Sequence, residues 1–257
     1  MRLAIPADTR IRYFRNDPAE GGLNNYLKLY ELSKGEFIKF LNDDDTINYD
    51  CIEKMIGVFR KHINVTLVTS RRVRIDERGN RLPDIIATRP LSEVDVELEG
   101  VSCANALVRS GSNFIGEPST AMFRKKDIEW VQPHLMSFGG MAGIGAGDVA
   151  MWLNLLSRGN LYYIAETLSA FRVHPGQRQN EPAIQEAGHR TWQGFFFHAR
   201  RLGLLSTYIS YEIKGRADSA AAWRRISLKR PRSIGQILRE FRVNATLWAK
   251  SVLCGQP

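Results

Sequence analysis

Apolar and polar positions alternate, cluster and then recur at helical spacing along the chain. RIRYFRN (residues 10–16) alternates basic and apolar side chains and predicts a strand. LNNYLKLYELSKG (23–35) sets Leu23, Leu27 and Tyr30 on one helical face, with Gly35 as the stop. FIKFL (37–41) reads as a short strand buried on both sides. YDCIEKMIGVFRKH (49–62) returns to helical period, with Ile52, Met55, Ile56 and Phe59 as its stripe. VTLVTSRRVRI (65–75) is a strand, and DERGNR (76–81) a turn that opens a hairpin. The order β-α-β-α-β predicts an α/β layer fold with a mostly parallel, Rossmann-like sheet and flanking helices.

The middle of the chain is less regular. GSNFIGEPSTAMFRKKDI (111–128) suggests one or two strands around a Gly-Pro loop. SFGGMAGIGAG (137–147) holds five glycines in eleven residues, and DVAMWLNLLSRG (148–159) reads as an amphipathic helix opened by Asp148. LYYIAETLSAFRVH (161–174) reads as strand and bend, and the pattern is helical from Pro182 onward.

Composition narrows the class. At 257 residues, 44% hydrophobic and 25% charged, the chain resembles an ordinary globular protein with a sizeable core. Cys51, Cys103 and Cys254 are odd in number and far apart, which predicts neither a disulfide framework nor a zinc cluster and fits a reducing compartment. The N-terminus has no apolar core of a signal peptide, and no uncharged run reaches the ~18 residues of a membrane span. The expected location is cytoplasmic. Net charge is +9, and residues 214–257 carry ten Lys/Arg against two acids. In that stretch Ile234, Leu238, Phe241, Trp248 and Val252 recur at near-helical spacing beside Arg239, Arg242 and Lys250. Two readings stay open: an interfacial helix on the inner face of an anionic membrane, or a helix packed on its own domain. No nucleic-acid motif accompanies the charge, so no nucleic-acid partner is expected.

Three places carry candidate chemistry. Asp43, Asp44 and Asp45 follow a buried strand, where open α/β sheets bind ligands, and hard carboxylates suit Mg²⁺ or Mn²⁺ bridging to phosphates. A solvated turn, or a cap on the next helix, explains them equally well. Asp148 is either a plain N-cap or a general base on a rigid helix, reached by a glycine loop able to close. His174, in a bend with Arg172 and Pro175, is either structural or within reach of a pyrophosphate or metal. A haloacid-dehalogenase-type phosphatase is a near miss, since Ile47 and Trp152 stand where its motifs need other residues.

Taken in order, NNYLKLYELSKGEFIKFLNDDDTINYD, GEPSTAMFRKKDI and GDVAMWLNLLSRGNLYYIAETLSAFRVHPGQ resemble the family-2-type nucleotide-sugar glycosyltransferases of the GT-A fold, over residues 11–177. The resemblance implies a metal-dependent, inverting transfer of a sugar from a nucleoside diphosphate to an acceptor hydroxyl. The cofactor would be Mn²⁺ or Mg²⁺, held first by Asp45 and then by Asp43. Asp43 and Asp44 would meet metal or ribose, and Asn25 would lie near the donor. Asp148 inherits the base role, although the family's preceding Glu is Gly147 here and Asn42 stands where many members begin the aspartate motif. Gly116, Glu117, Pro118 and Ser119 match an acceptor-side loop, and Arg172 and His174 the diphosphate or metal neighbourhood. The acceptor is expected to be a glycan or lipid-linked, in bacterial surface-polysaccharide or glycolipid assembly, with peripheral membrane contact through the basic C-terminal helices. The expected division is a GT-A-like domain over 1–181, lacking the family's first β-α-β segment, and a basic helical extension over 182–257. The rival is a truncated, non-catalytic binding domain, and the phosphatase ranks third.

Overall fold

The computed structural model describes residues 8–204 and the paired strands Tyr208–Ile209 and Leu228–Lys229. The basic helix expected around Ile234 to Val252 lies outside the described residues. The chain divides into two compact units, Met1–Ser33 and Lys34–Pro257.

In the first unit the expected helix is present as α1 (Gly21–Leu32), closed where the Ser33 N–H reaches the carbonyls of Leu29 and Tyr30. Residues 10–16 are not the expected strand and join no ladder. Their side chains make local contacts instead. Arg12 donates to the Leu32 carbonyl and lies over the Phe14 ring, and Lys28 Nζ donates to Asn16 Oδ1 at 2.6 Å. Alternation here marks exposed extended chain, with Ile11, Tyr13 and Phe14 each about half exposed.

The second unit is a mixed α/β layer around one long ladder. Its first strands, β1 (Phe37–Ile38) and β2 (Thr46–Ile47), are short, and α2 (Cys51–Lys61) follows. The strand expected over 65–75 is β3 (Val65–Ile75), hairpinned to β4 (Arg81–Leu82) through a turn in which Asp76 Oδ1 accepts from the N–H groups of Arg78 and Asn80. β5 (Val96–Leu98) leads into α3 (Gly100–Ser110), and β6 (Met122–Arg124) comes next. The hairpin β7 (Ser137–Phe138) and β8 (Met141–Ala142) precedes α4 (Gly147–Leu156), β9 (Asn160–Arg172) and α5 (Pro182–Arg201). β10 (Tyr208–Ile209) and β11 (Leu228–Lys229) pair antiparallel, where the sequence pattern had read as helix.

The main sheet runs β1-β6-β3-β9-β2, with β4 added on β3 and β5 on β9. Its long ladder, β3 on β9, is parallel, and the short flanking pairs are antiparallel. β1 and β2 lie at opposite edges. The segment between them, which holds the three aspartates, therefore spans four strand spacings, roughly 19 Å for a flat sheet.

α2 packs on this sheet with Cys51, Met55, Val58 and Phe59 against Val65, Val68, Met122, Ile164 and Leu168. Its buried face is rotated from the expected stripe: Ile52 is 48% exposed. Cysteine behaves as a small hydrophobe, and 51, 55, 58 and 59 form their own i, i+4, i+7, i+8 row. α4 is buried on every side from Val149 to Leu156 rather than amphipathic. The Leu155 carbonyl accepts from Thr66 of the sheet, and Asn154 donates to the Ser137 carbonyl of β7. α5 closes the layer, with Phe195 edge-on to Phe138 and Thr191 bonded to the Ile144 carbonyl. No helix among the described residues is long and apolar enough to cross a membrane.

α3 was not legible as a helix. Small residues in GVSCANALVRS weaken its hydrophobic period, and its start depends on Glu99 accepting from the N–H groups of Val101 and Ser102. That start abuts the end of α4. A Cβ on Gly100 would collide with the carbonyl oxygens of Gly159 and Leu156, which are backbone and cannot swing away. Gly100→Ala should therefore destabilise the chain by about 1–3 kcal/mol or more in equilibrium unfolding; an unchanged transition would mean this close approach is not needed.

Candidate active site

The three aspartates form a turn, not a helix cap: Asp43 and Asp44 occupy the turn and Asp45 precedes β2. They differ sharply in environment. Asp43 is exposed. Asp44 is half-buried, its Oδ2 3.3 Å from His174 Nε2 and 3.2 Å from the Gln177 amide. Asp45 is only 8% exposed. Its Oδ1 accepts from the Arg172 N–H at 3.0 Å, its Oδ2 from Asn42 at 3.1 Å, and the Ser119 hydroxyl also bonds the carboxylate. Burial pushes the Asp45 carboxyl up, opposed by Ser119 and Arg172 and reinforced by the charges of Asp44 and Glu117.

Arg172 and His174 do reach this turn. The Arg172 guanidinium, however, is engaged by backbone: Nε donates to the Asp44 carbonyl at 2.8 Å, and Nη1 to those of Asp76 and Glu77. It ties the aspartate turn to the β3–β4 turn. Asn25 sits on α1 in the first unit, where its Oδ1 accepts from Asn16.

The loop Gly116–Ser119 joins the aspartate turn to Asp148. At one end Ser119 Oγ accepts from the Asn42 N–H at 2.9 Å while binding Asp45. At the other, Gly116 has φ of +121°, and a Cβ there would crowd Thr120 and Arg72. Pro118 is buried between them. Glu117 Oε2 lies 2.9 Å from Arg72 Nε, and Arg72 is itself only 4% exposed. The Glu117 charge raises both Asp45 and Asp148, so the two aspartates feel one common anion.

Asp148 stands in the first turn of α4, one residue inside a helix that begins at Gly147. Oδ1 accepts from the Val149 N–H and Oδ2 from Asn113 Nδ2, each at 2.8 Å. The residue keeps some accessible surface, yet protein atoms crowd the carboxyl group itself. This burial pushes it up to about 6; Glu117 adds to the rise, while the Val149 N–H and Arg72 oppose it. A carboxyl poised near neutrality suits a general base.

The glycine loop before Asp148 is fastened rather than free to close. Gly139 and Gly140, with φ of +61° and +85°, make the tight turn of the β7–β8 hairpin. Gly145 lies so close to α5 that a Cβ would strike Gly188 and the Ile184 carbonyl.

Three residues of the site carried no signal of their own in the sequence. Lys39 lies in an apolar run, yet its Nζ donates to the Ser119 carbonyl at 2.6 Å, and burial pulls its ammonium down to about 8 against the opposing charges of Cys51 and Asp45. Gln177 bridges Asp44 to the Arg172 carbonyl. Asn113, within the quoted GSNFIGEPST stretch, reaches Asp148.

Among the described residues no three His, Cys, Asp or Glu side chains are grouped as a ready metal cage. The donor chemistry fits a hard divalent ion that keeps waters and shares substrate phosphates: Asp43 is exposed, and Asp45, though bonded by Arg172, Asn42 and Ser119, keeps lone-pair capacity on its carboxylate oxygens.

A family model described as glycosyl transferase family 2 matches residues 2–130, about half of the chain. The match takes in the aspartate turn and the 116–119 loop and ends before Asp148. An uncharacterized protein of Mycobacterium tuberculosis (strain CDC 1551 / Oshkosh) is 27% identical over 165 residues, 63% of this chain and 50% of that protein. The chain thus spans about half the length of this curated relative.

Asp148 gives the site a pH signature. A carboxyl raised in the native state holds a proton that the unfolded chain has released, so its contribution makes stability fall as pH rises from about 4 to about 6. Unfolding of wild type and Asp148→Asn, followed from about pH 4 to 8, should give curves whose difference changes by about 1–3 kcal/mol within that window and stays flat above it. Parallel curves throughout would mean the carboxyl is not raised.

Proposed function

The chain belongs to glycosyl transferase family 2, and from that membership we propose that it transfers a sugar from a nucleoside-diphosphate donor to an acceptor hydroxyl with inversion. The observation that carries this reading is Asp148: a carboxyl raised to about 6, pinned by two hydrogen bonds and joined to the aspartate turn by one loop. In this reading Asp148 takes the proton of the acceptor hydroxyl as that oxygen attacks the anomeric carbon from the face opposite the departing diphosphate. The 116–119 loop borders the acceptor, with Glu117 held by Arg72. Asp45 and Asp43 would hold Mn²⁺ or Mg²⁺, with Asp44 and His174 beside them. A bound ion would neutralise charge building on the leaving diphosphate. Arg172 acts as a strut that keeps the turn in place, through its bonds to Asp44 and Asp45.

We further read the acceptor as a glycan or lipid-linked sugar in surface-polysaccharide or glycolipid assembly, and the place of action as the cytoplasm or the inner membrane face. The domain of transfer is read as 1–181 and the basic extension as 182–257.

Calorimetric titration with UDP, GDP and dTDP sugars, with and without Mn²⁺, tests the donor site, and release of nucleoside diphosphate in the presence of acceptor tests transfer. Asp45→Ala should abolish Mn²⁺-dependent binding. Asp148→Asn should bind donor as wild type does and lose transfer by ~10²–10⁴-fold. Normal binding by Asp45→Ala would remove the metal assignment, and full transfer by Asp148→Asn would place the base elsewhere. Metal-dependent binding with no turnover by wild type would mark a non-catalytic binding module.

A further inference from the structure

We propose that Asn113 is the positioning residue of Asp148, its side-chain amide holding the carboxylate in the orientation from which an acceptor proton is taken. The proposal rests on the reading of Asp148 as base.

The direction of the amide is fixed by its neighbours. Asn113 Nδ2 donates to Asp148 Oδ2 at 2.8 Å and to the Gly116 carbonyl at 3.0 Å, and Oδ1 accepts from the Gly116 N–H at 3.1 Å. A flipped amide would set oxygen against both acceptors and NH₂ against the donor, so all three contacts select one orientation.

Asn113 is also held from behind. Its own carbonyl and that of Phe114 accept from Arg72, and the carbonyl of Ile115 from Thr69 Oγ1 at 2.6 Å. Three consecutive carbonyls are therefore tied to β3. The Gly116 carbonyl takes a second donor, Trp152 Nε1 at 3.0 Å, from the residue one helical turn beyond Asp148. The loop grips α4 at two stacked points.

This matters because the remaining bonds to the carboxylate come from the backbone N–H groups of Val149 and of Asp148 itself. The Val149 N–H belongs to the same helical turn as Asp148 and cannot alone stop the side chain from rotating about χ1. Asn113 is anchored to the sheet and supplies the external reference. Val149 bonds Oδ1 and Asn113 bonds Oδ2, which leaves lone-pair capacity on the carboxylate for an incoming proton. The same bond favours the ionised form, so its loss should move the titration of Asp148 upward. The charged groups acting on Asp148 are Glu117, on the loop, and Arg72, on β3. Both are retained in the variants below.

The test compares wild type with Asn113→Ala, each with and without Asp148→Asn. The titration midpoint of Asp148 is read from the pH dependence of stability within each pair. Transfer to acceptor is followed from about pH 5 to 9 as nucleoside-diphosphate release. In Asn113→Ala the midpoint should rise by about one unit, a tenfold change. At neutral pH kcat should fall by roughly 10–100-fold with donor affinity unchanged, and part of the loss should return as pH is raised. A midpoint unmoved from wild type would overturn the proposal, as would a loss of kcat independent of pH. If Asn113→Ala does not fold, Asn113→Asp serves instead. It keeps an acceptor for the Gly116 N–H but places two carboxylates together, so one of the pair should titrate well above about 6; an unmoved midpoint overturns the proposal here too. If wild type transfers no sugar, the glycosyl-transfer reading fails, while the midpoints from stability still decide whether Asn113 governs Asp148.

Discussion

The parallel ladder between Val65–Ile75 and Asn160–Arg172 is the constraint on which the candidate site depends. Its two strands end together, Ile75 beside Arg172. At that end the Arg172 N–H binds Asp45 and the guanidinium binds carbonyls of both the aspartate turn and the β3–β4 turn. Further back on β3, Arg72 takes carbonyls of Asn113, Phe114 and Ala87 and pairs with Glu117. The ladder loses register on both sides of Arg71. Such irregularities re-aim side chains next to functional sites. Two arginines on two strands thus fix the aspartate turn and the loop beside Asp148 to one frame.

The charges of this region are arranged so that, among the described residues, Asp45 and Asp148 form no ion pair with the basic side chains near them. Asp43, Asp44, Asp45, Glu117 and Asp148 gather with Lys39, Arg72 and Arg172. Yet Lys39 and Arg172 spend hydrogen bonds on backbone carbonyls, and Arg72 divides its donors between carbonyls and Glu117. Buried cations used in this way brace the chain. They leave Asp45 and Asp148 raised by desolvation, and Lys39 lowered by it. Carboxylates desolvated and gathered in this way favour an added cation or a proton.

Elements whose signal is local were legible in the sequence. β3 opens with a β-branched and aliphatic run, Val65 to Thr69, and α1, α2 and α4 carry helical period, so each appeared near its expected bounds. The phase of α2 was misread because Cys51 was not counted as core, and residues 10–16 because alternation alone does not say whether a neighbouring strand exists. α3 lacks large apolar residues at its start and depends on a cap and on close backbone packing. In the site, aspartates in a row and a glycine-rich stretch were visible as types. Lys39, Asn113 and Gln177 were not, because their roles arise from partners 80, 35 and 133 residues away. The glycines before Asp148 were read as room for movement, whereas three of them serve a tight turn and close contact with α5.

In the family the residue before the base is usually glutamate, and here it is Gly147. A Cβ at this position would sit 2.9 Å from Met136 Sδ, so a longer side chain would have to displace Met136 from the buried layer beneath the hairpin. The anion beside Asp148 comes instead from Glu117, across the loop, and it is held there by Arg72. That origin has a consequence for control. A neighbouring acid on α4 would move with the helix, but Glu117 moves with the loop that also carries Ser119 to the aspartate turn. Any shift of this loop would change the field at Asp148 and at Asp45 together, coupling the two aspartates through a single short segment.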